Sequence, residues 1–130
     1  MMAAIDRVGE RSEVLNLHEG KGKGLAYIFF SEQLNSSLLF FDLELEPGAY
    51  AGHHRHSDNV EIVYILSGKA ENYQDGKRQV LEAGDAILTR TGESHAIKNI
   101  GDEVLHVLGF GAGDIGAIDN LPIPELLADW

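Results

Sequence analysis

The residues of this sequence best suited to chemistry lie near its middle, in the stretch His54-Arg55-His56-Ser57-Asp58-Asn59-Val60-Glu61. Alternate side chains of an extended strand share a face, so His54 and His56 are predicted to point the same way. Glu61 opens an apolar run over 62–66, which is typical of a following strand. If the two strands pair across the turn at 57–59, two imidazoles and a carboxylate meet on one surface. Such a set of side chains can hold a divalent metal.

Composition narrows the classes of protein and of site. The chain has no cysteine, which excludes disulfides and thiolate metal sites. Its side-chain nitrogen ligands are the histidines at positions 18, 53, 54, 56, 95 and 106. A formal charge of −11, from 21 acidic and 10 basic residues, argues against a nucleic-acid or anionic-membrane surface. The expected partners are small molecules or other protein chains.

Length and the lack of apolar segments set the organisation. A chain of 130 residues is expected to form one domain with a single core. Its N-terminus lacks a basic region followed by a long apolar one, and no stretch approaches the ~18 apolar residues that span a bilayer. We therefore expect a cytoplasmic protein with no membrane association.

Strand-like segments and regularly spaced glycines predict the scaffold. The glycines at 68, 76, 84, 92 and 101 recur every eight or nine residues, a spacing of turns typical of an all-β sandwich or barrel. Asp75-Gly76 suits a type I′ hairpin turn. A glycine-rich stretch, 19–24, is predicted to be a flexible connector, and a closing turn of helix is predicted over 124–130. The predicted strands cover 25–30, 38–45, 69–74, 77–81, 86–89, 95–99 and 103–110.

A first motif resembles one of the two that define the cupin family. It consists of Gly, five residues, His, one residue, His, three or four residues, Glu, six residues and Gly. Every fixed position is present here, with the four-residue gap: Gly48, His54, His56, Glu61 and Gly68.

The second cupin motif is matched at all positions but one. It reads Gly, five residues, Pro, one residue, Gly, two residues, His, three residues and Asn. Gly84, Gly92, His95 and Asn99 fit it, whereas Arg90 stands where proline is expected. With both motifs present, the chain is identified as resembling a small single-domain cupin.

This resemblance implies a jelly-roll β-barrel, also called a double-stranded β-helix, with a short C-terminal extension. The domain would span 1–130, with a barrel core over about 38–110, an N-terminal strand at 25–30 that a partner subunit can exchange, and a tail at 112–130. The resemblance also implies a homodimer.

The same resemblance implies a metal ligand set of His54, His56, Glu61 and His95. One divalent transition metal per chain is expected, and the ligands do not choose among Fe, Mn, Ni, Zn and Cu. Octahedral coordination would leave about two positions for water or substrate. A His-x-His pair alone is more often two solvated side chains. With Glu61 and His95 in register, however, burial without a metal would leave polar atoms unpaired.

The function that this resemblance favours is a metal-dependent enzyme of the dioxygenase type, an oxidoreductase acting on a small organic substrate. One alternative is a non-catalytic cupin that binds or senses a small molecule. Another is a metal-dependent isomerase, decarboxylase or lyase, because these chemistries share the fold and the ligand set.

Further pocket residues can be placed only by alternation along the strands. Tyr50 shares parity with His54 and is a candidate for the cavity wall, as is Asn72, unless the opposite register brings Tyr73 inward. Arg90 would either bind an anionic substrate at the barrel mouth or lie in solvent, and the second interpretation is favoured. The histidines expected to lie outside the ligand set, as surface or internally satisfied residues, are His18, His53 and His106.

Overall fold

Residues 2–130, which the computed structural model describes, form eleven β-strands in two antiparallel sheets. The all-β prediction is confirmed. Two short 3-10 turns, Leu17–Glu19 and Glu125–Leu127, supply the helical structure. The strands are β1 Ser12–Leu15, β2 Lys23–Ile28, β3 Leu38–Leu45, β4 Tyr50–His56, β5 Asn59–Ser67, β6 Lys69–Gln74, β7 Lys77–Glu82, β8 Ala86–Thr89, β9 Ser94–Asn99, β10 Leu105–Gly113 and β11 Ile118–Asn120.

The two sheets face each other across one apolar core. Six strands form one sheet in the order β1-β2-β3-β10-β5-β8, and five form the other in the order β11-β4-β9-β6-β7. Alternate side chains of each strand point inward, so both sheets contribute to the core. Its most buried members include Leu45, Ile65, Ala70 and Leu105.

The regularly spaced glycines occupy the turns that connect these strands. Gly68, Gly76, Gly84 and Gly92 all adopt positive φ angles, between +73° and +96°, a conformation that glycine reaches without a steric penalty. Asp75 also has a positive φ, of 53°, as a type I′ turn requires of both central residues. Gly101 does not share this conformation, and its N–H instead donates to the Asn99 side chain.

The His54–His56 strand does not pair with the strand after it, which was the condition considered for bringing the histidines and Glu61 together. Strand β4 pairs with β9 and β11 in the five-stranded sheet, whereas β5 pairs with β10 and β8 in the other sheet. The Asn59 side chain secures the crossing by donating to the Asp114 and Ala117 carbonyl oxygens. Because each strand can bury only one face, crossing between the sheets directs the inner faces of both strands to the same core.

The N-terminal region is more ordered than the sequence suggests. Strand β1 was not predicted, and β2 pairs with β1 and β3 of its own chain. The glycine-rich connector is held by reciprocal backbone hydrogen bonds between Lys21 and Tyr50, at 2.8 and 3.1 Å. Gly20 lies so close to β4 that a Cβ there would approach the Tyr50 carbonyl oxygen to 2.1 Å. These glycines therefore permit close packing rather than flexibility, which corrects the connector prediction.

The C-terminal tail closes over the five-stranded sheet. Strand β11 pairs with β4, and Leu127, in the 3-10 turn, is only 1% exposed. The Trp130 indole N–H donates to Glu71 at 2.8 Å, and Arg78 donates to the Leu126 carbonyl oxygen and to Asp129. Within residues 2–130, the structure contains no helix with the length and apolar character to cross a membrane.

Candidate metal centre

Three imidazoles meet between the two sheets. His54 and His56 come from β4 and His95 from the adjacent β9, where His54 lies opposite His95 in the register. The Nε2 atom of His95 lies 3.1 Å from that of His54 and 3.2 Å from that of His56. All three side chains are at most 3% exposed. The predicted convergence of these histidines is thus observed.

The other ring nitrogen of each histidine has its own partner. His54 Nδ1 donates to the Gly52 carbonyl oxygen at 2.6 Å. His56 Nδ1 donates to Asn59 Oδ1 at 2.7 Å, since the Asn59 amide nitrogen is engaged elsewhere. His95 Nδ1 lies 3.0 Å from the Thr89 hydroxyl, whose oxygen can accept a hydrogen bond from the imidazole N–H. A proton on each Nδ1 leaves the Nε2 lone pairs directed at one another.

This arrangement fits a cation. Three buried lone pairs at such short separations repel, and a proton shared between two rings satisfies only part of the group. A metal ion at the meeting point would satisfy all three, and partners on Nδ1 are the usual way in which proteins orient metal-bound histidines. The cluster of His54, His56 and His95 can therefore hold a metal ion.

Glu61 approaches the histidines from the opposite sheet. Its Oε1 atom lies 3.4 Å from His95 Nε2 and 3.7 Å from His56 Nε2, and its side chain is 15% exposed. Burial by itself would raise the Glu61 pKa, but the close contact with His95 and the other nearby imidazoles outweighs this effect and lowers the pKa. Glu61 is therefore a carboxylate at neutral pH and faces the three rings.

Burial also keeps the His54 imidazole available as a ligand. Burial of the ring away from water is the main cause that lowers the pKa of His54 to about 2, and the proximity of His95 and His18 lowers it further. The ring is consequently neutral at physiological pH, which is the form that binds a metal.

A β-bulge overturns the placement of Tyr50. In the pairing of β4 with β9, Ala51 lies opposite Ile97 and His54 opposite His95, so two residues of β4 face one of β9. The extra residue shifts the alternation, and Ala51 rather than Tyr50 shares the inner face with His54. Tyr50 lies outside the cavities and packs against Trp130, with ring centroids 5.3 Å apart.

His18 enters the site although strand alternation offers no reason to place it there. Its ring stacks on that of His54 with centroids 3.8 Å apart, and burial lowers its pKa. The segment that carries His18 packs so closely against β4 that a Cβ on Gly52 would lie 2.1 Å from the His18 carbonyl oxygen. The glycines at 20 and 52 were the one available signal for this approach. Asn59 and Thr89 were likewise missed as partners of the histidines.

Two cavities adjoin the histidines. The larger, of 260 Å³, reaches His18, His56 and Glu61. The smaller, of 50 Å³, reaches His54, His95 and Glu61. Apolar side chains form most of the larger wall: Val14, Leu17, Ala26, Ile28, Leu39, Phe41, Leu43, Ile115 and Ile118.

Asn72 and Arg90 lie away from these cavities. Asn72 points inward opposite Ile97, which settles the register against Tyr73, but it borders a separate pocket that Arg90 also lines. The Arg90 side chain is 68% exposed and 3.6 Å from Glu93, which agrees with a solvated guanidinium.

The two other histidines are satisfied elsewhere. His53 points outward and contacts the Pro122 carbonyl oxygen and the Ser94 hydroxyl, both at 3.0 Å. His106 lies 2.7 Å from Asp42 on the outer face of the six-stranded sheet. Arg11 already pairs with Asp42 and with Glu44 there, at 2.8 and 3.1 Å. The Arg11 guanidinium thus provides a positive charge next to the carboxylates of Asp42 and Glu44.

Known proteins resemble the chain in sequence and in fold. The family model for the cupin domain matches residues 41–110. A Thermotoga maritima protein named oxalate-binding protein is 37% identical over 97 residues, which cover 73% of this chain and 80% of that protein.

Two solved structures from Thermotoga maritima show the extent of the structural similarity. One, described as a predicted oxalate decarboxylase, superposes with a TM-score of 0.76 at 33% identity and covers 80% of this chain and 92% of its own. The other, a cupin-like protein, has a TM-score of 0.75 at 20% identity and covers 94% and 93% of the two chains. The second likeness supports the double-stranded β-helix fold alone. Since the domain model spans more than half of the 130 residues, this chain belongs to the cupin family.

Proposed function

We propose that the chain binds one divalent transition metal through His54, His56, His95 and Glu61, and that the metal in turn binds a small chelating organic acid. The observation that carries this proposal is the convergence of three Nε2 atoms whose rings are each fixed by a partner on Nδ1. Neutral imidazoles combined with a carboxylate suit Fe, Mn, Ni, Cu or Zn.

The residues of this chain have distinct parts in such a site. The histidines and Glu61 hold the ion, and Gly52, Asn59 and Thr89 keep the rings oriented toward it. A bound metal would act as a Lewis acid with open coordination positions for two donor atoms of a ligand. The organic acid is supported by the similar Thermotoga maritima protein, which is named for binding oxalate.

Adjacent histidines provide a matched test of the metal site. His54 points into the cluster, whereas His53 points away from it. We expect His54→Gln to lose nickel(II) binding in isothermal titration calorimetry and His53→Gln to retain it. Elemental analysis of the purified wild-type protein should give about one transition metal ion per chain. The metal-loaded wild type should then bind oxalate or pyruvate, and the metal-free protein should not.

Contrary results would be equally clear. Equal nickel affinity in the His54→Gln and His53→Gln variants would refute the ligand assignment. A metal-loaded protein that binds neither oxalate nor pyruvate would refute the organic-acid part of the proposal.

A dioxygenase-type oxidoreductase is the second candidate function. It is favoured by the apolar cavity beside the candidate metal centre, since a water-poor pocket protects reactive chemistry from side reactions. The iron(II)-loaded protein should then consume oxygen in the presence of a panel of organic acids, as followed with an oxygen electrode. Full oxygen consumption by a metal-free preparation would exclude this function.

A homodimer is the proposed assembly. Large apolar side chains are exposed on the outer face of the six-stranded sheet, where Ile62, Tyr64, Leu88 and Phe110 are each 41–44% exposed. Ile62 lies opposite both Phe110 and Leu88 in the register, so these side chains form one continuous patch. Contiguous apolar surface of this kind is typical of an interaction surface, and a second copy of the chain is the partner proposed.

A further inference from the structure

The larger cavity has no cationic side chain in its wall. Among residues 2–130, neither lysine nor arginine lines the 260 Å³ cavity or the 50 Å³ cavity. The polar side chains of the larger one are those of His18, His56, Asn59 and Glu61, all of which belong to the candidate metal centre or contact it. The rest of its wall consists of apolar side chains, so a ligand that extends beyond the metal enters apolar surroundings.

The charges of the site limit the charge of its ligand. Histidines bind a metal as neutral imidazoles, and Glu61 is the carboxylate that faces them. A divalent metal with this one carboxylate retains a single positive charge, which a monocarboxylate neutralises. A dicarboxylate would give the buried complex a net negative charge, with no lysine or arginine in the cavity wall to balance it, and such a charge is costly. Arg90, the cation considered for this role, lines a different pocket.

The cavity also has room beyond the chelating group. Its volume of 260 Å³ lies just below the ~300–1,000 Å³ that is usual for small-molecule sites. An acid of a few carbon atoms can therefore place a short alkyl group against Ile28, Leu39, Phe41 and Ile115. Burial of that group would stabilise the complex through the hydrophobic effect.

From this we infer that the ligand is a monocarboxylic acid with a neutral second donor, an oxo or hydroxyl group on the adjacent carbon, and an apolar substituent. The two oxygen donors would bind the metal, and the substituent would fill the apolar cavity. This inference rests on the proposed function, whose metal would be the anchor for the acid. It departs from oxalate, the ligand suggested by the name of the similar protein.

Calorimetry with three acids tests the inference on the full-length, nickel(II)-loaded protein. We expect 4-methyl-2-oxopentanoate to bind about tenfold or more tightly than pyruvate, because each additional carbon that is fully buried contributes about fourfold. Oxalate should bind no more tightly than pyruvate. Ile28→Thr, at a residue of the cavity wall that is 48% exposed, should weaken the binding of 4-methyl-2-oxopentanoate several-fold more than that of pyruvate.

Val80→Thr is the matched control, since Val80 is a strand residue of similar exposure, 52%, that lies outside both cavities. It should leave all three affinities unchanged. Tightest binding of oxalate, or equal affinities for the two oxo acids with no effect of Ile28→Thr, would overturn the inference and leave the proposed function standing. Nickel binding without affinity for any of the acids would overturn the inference together with the organic-acid part of the proposed function.

Discussion

The hydroxyl of Thr89 offers a sharp test of how the histidines are oriented. Thr89 is 1% exposed, and its Oγ1 atom lies 3.0 Å from His95 Nδ1. Replacement by valine preserves the shape of the side chain and removes the acceptor. At this degree of burial water cannot take the place of the hydroxyl, so the imidazole N–H would be left unpaired in the metal-bound state.

The expected magnitude follows from that loss. Removing a partner of a metal-bound histidine typically lowers metal affinity about 10- to 100-fold, which corresponds to about 1.4–2.7 kcal/mol. An unpaired buried donor costs about 1–3 kcal/mol, so the two expectations agree. We predict that Thr89→Val binds nickel(II) about 10- to 100-fold more weakly than the wild type, whereas Thr89→Ser, which keeps a hydroxyl, binds it almost normally.

Competition with a fluorescent chelator measures these affinities. The control is Thr91→Val, because Thr91 is the other threonine of the chain, is exposed, and donates a longer hydrogen bond of 3.3 Å to the Asn59 carbonyl oxygen. It should change nickel affinity less than about twofold, as surface substitutions usually have little effect. If Thr89→Val bound nickel within twofold of the wild type, the orienting role of Thr89 would be refuted.

Three other predictions concern stability and assembly. Leu127→Ala should lower the free energy of unfolding by about 2–5 kcal/mol in urea titrations, and Leu126→Ala, at 52% exposure, by less than about 0.5 kcal/mol; similar losses would show that the tail does not pack as described. The free energy of unfolding of the metal-free protein should fall as the pH drops below about 6.5, with His54 contributing at most about 1.4 kcal/mol per pH unit. The reason is that His54 takes up a proton in the unfolded chain, whereas the buried ring, with its pKa of about 2, does not. An equal pH dependence of stability in His54→Gln would contradict this. Light scattering should find twice the chain mass of 14.2 kDa for the wild type and for Val80→Lys, and the chain mass alone for Phe110→Lys; a monomeric wild type would refute the homodimer.

Much of the fold could be predicted because its signals are local. An apolar run that passes into alternation placed the strand Leu38–Leu45 at its observed bounds, and the spacing of the glycines around the Asp75-Gly76 turn did the same for Lys69–Gln74. Asp75-Gly76 marked its hairpin, since few residues other than glycine, asparagine and aspartate tolerate positive φ. Strand β1 was missed because its segment Ser12–Leu15, with only one partly buried side chain, carries little apolar pattern and pairs only at a sheet edge.

The spacing of His54, His56, Glu61 and His95 along the chain is enough to identify three histidines and a glutamate that could serve one site. How these side chains meet depends on the fold. The crossing between sheets brings Glu61 to the imidazoles from the opposite side, and the bulge in β4 turns Tyr50 away. The stacking of His18 on His54 and the apolar wall of the cavity likewise depend on segments distant along the chain. Spacing reports which side chains share a strand face, whereas register shifts and packing between sheets arise from contacts that no single segment encodes.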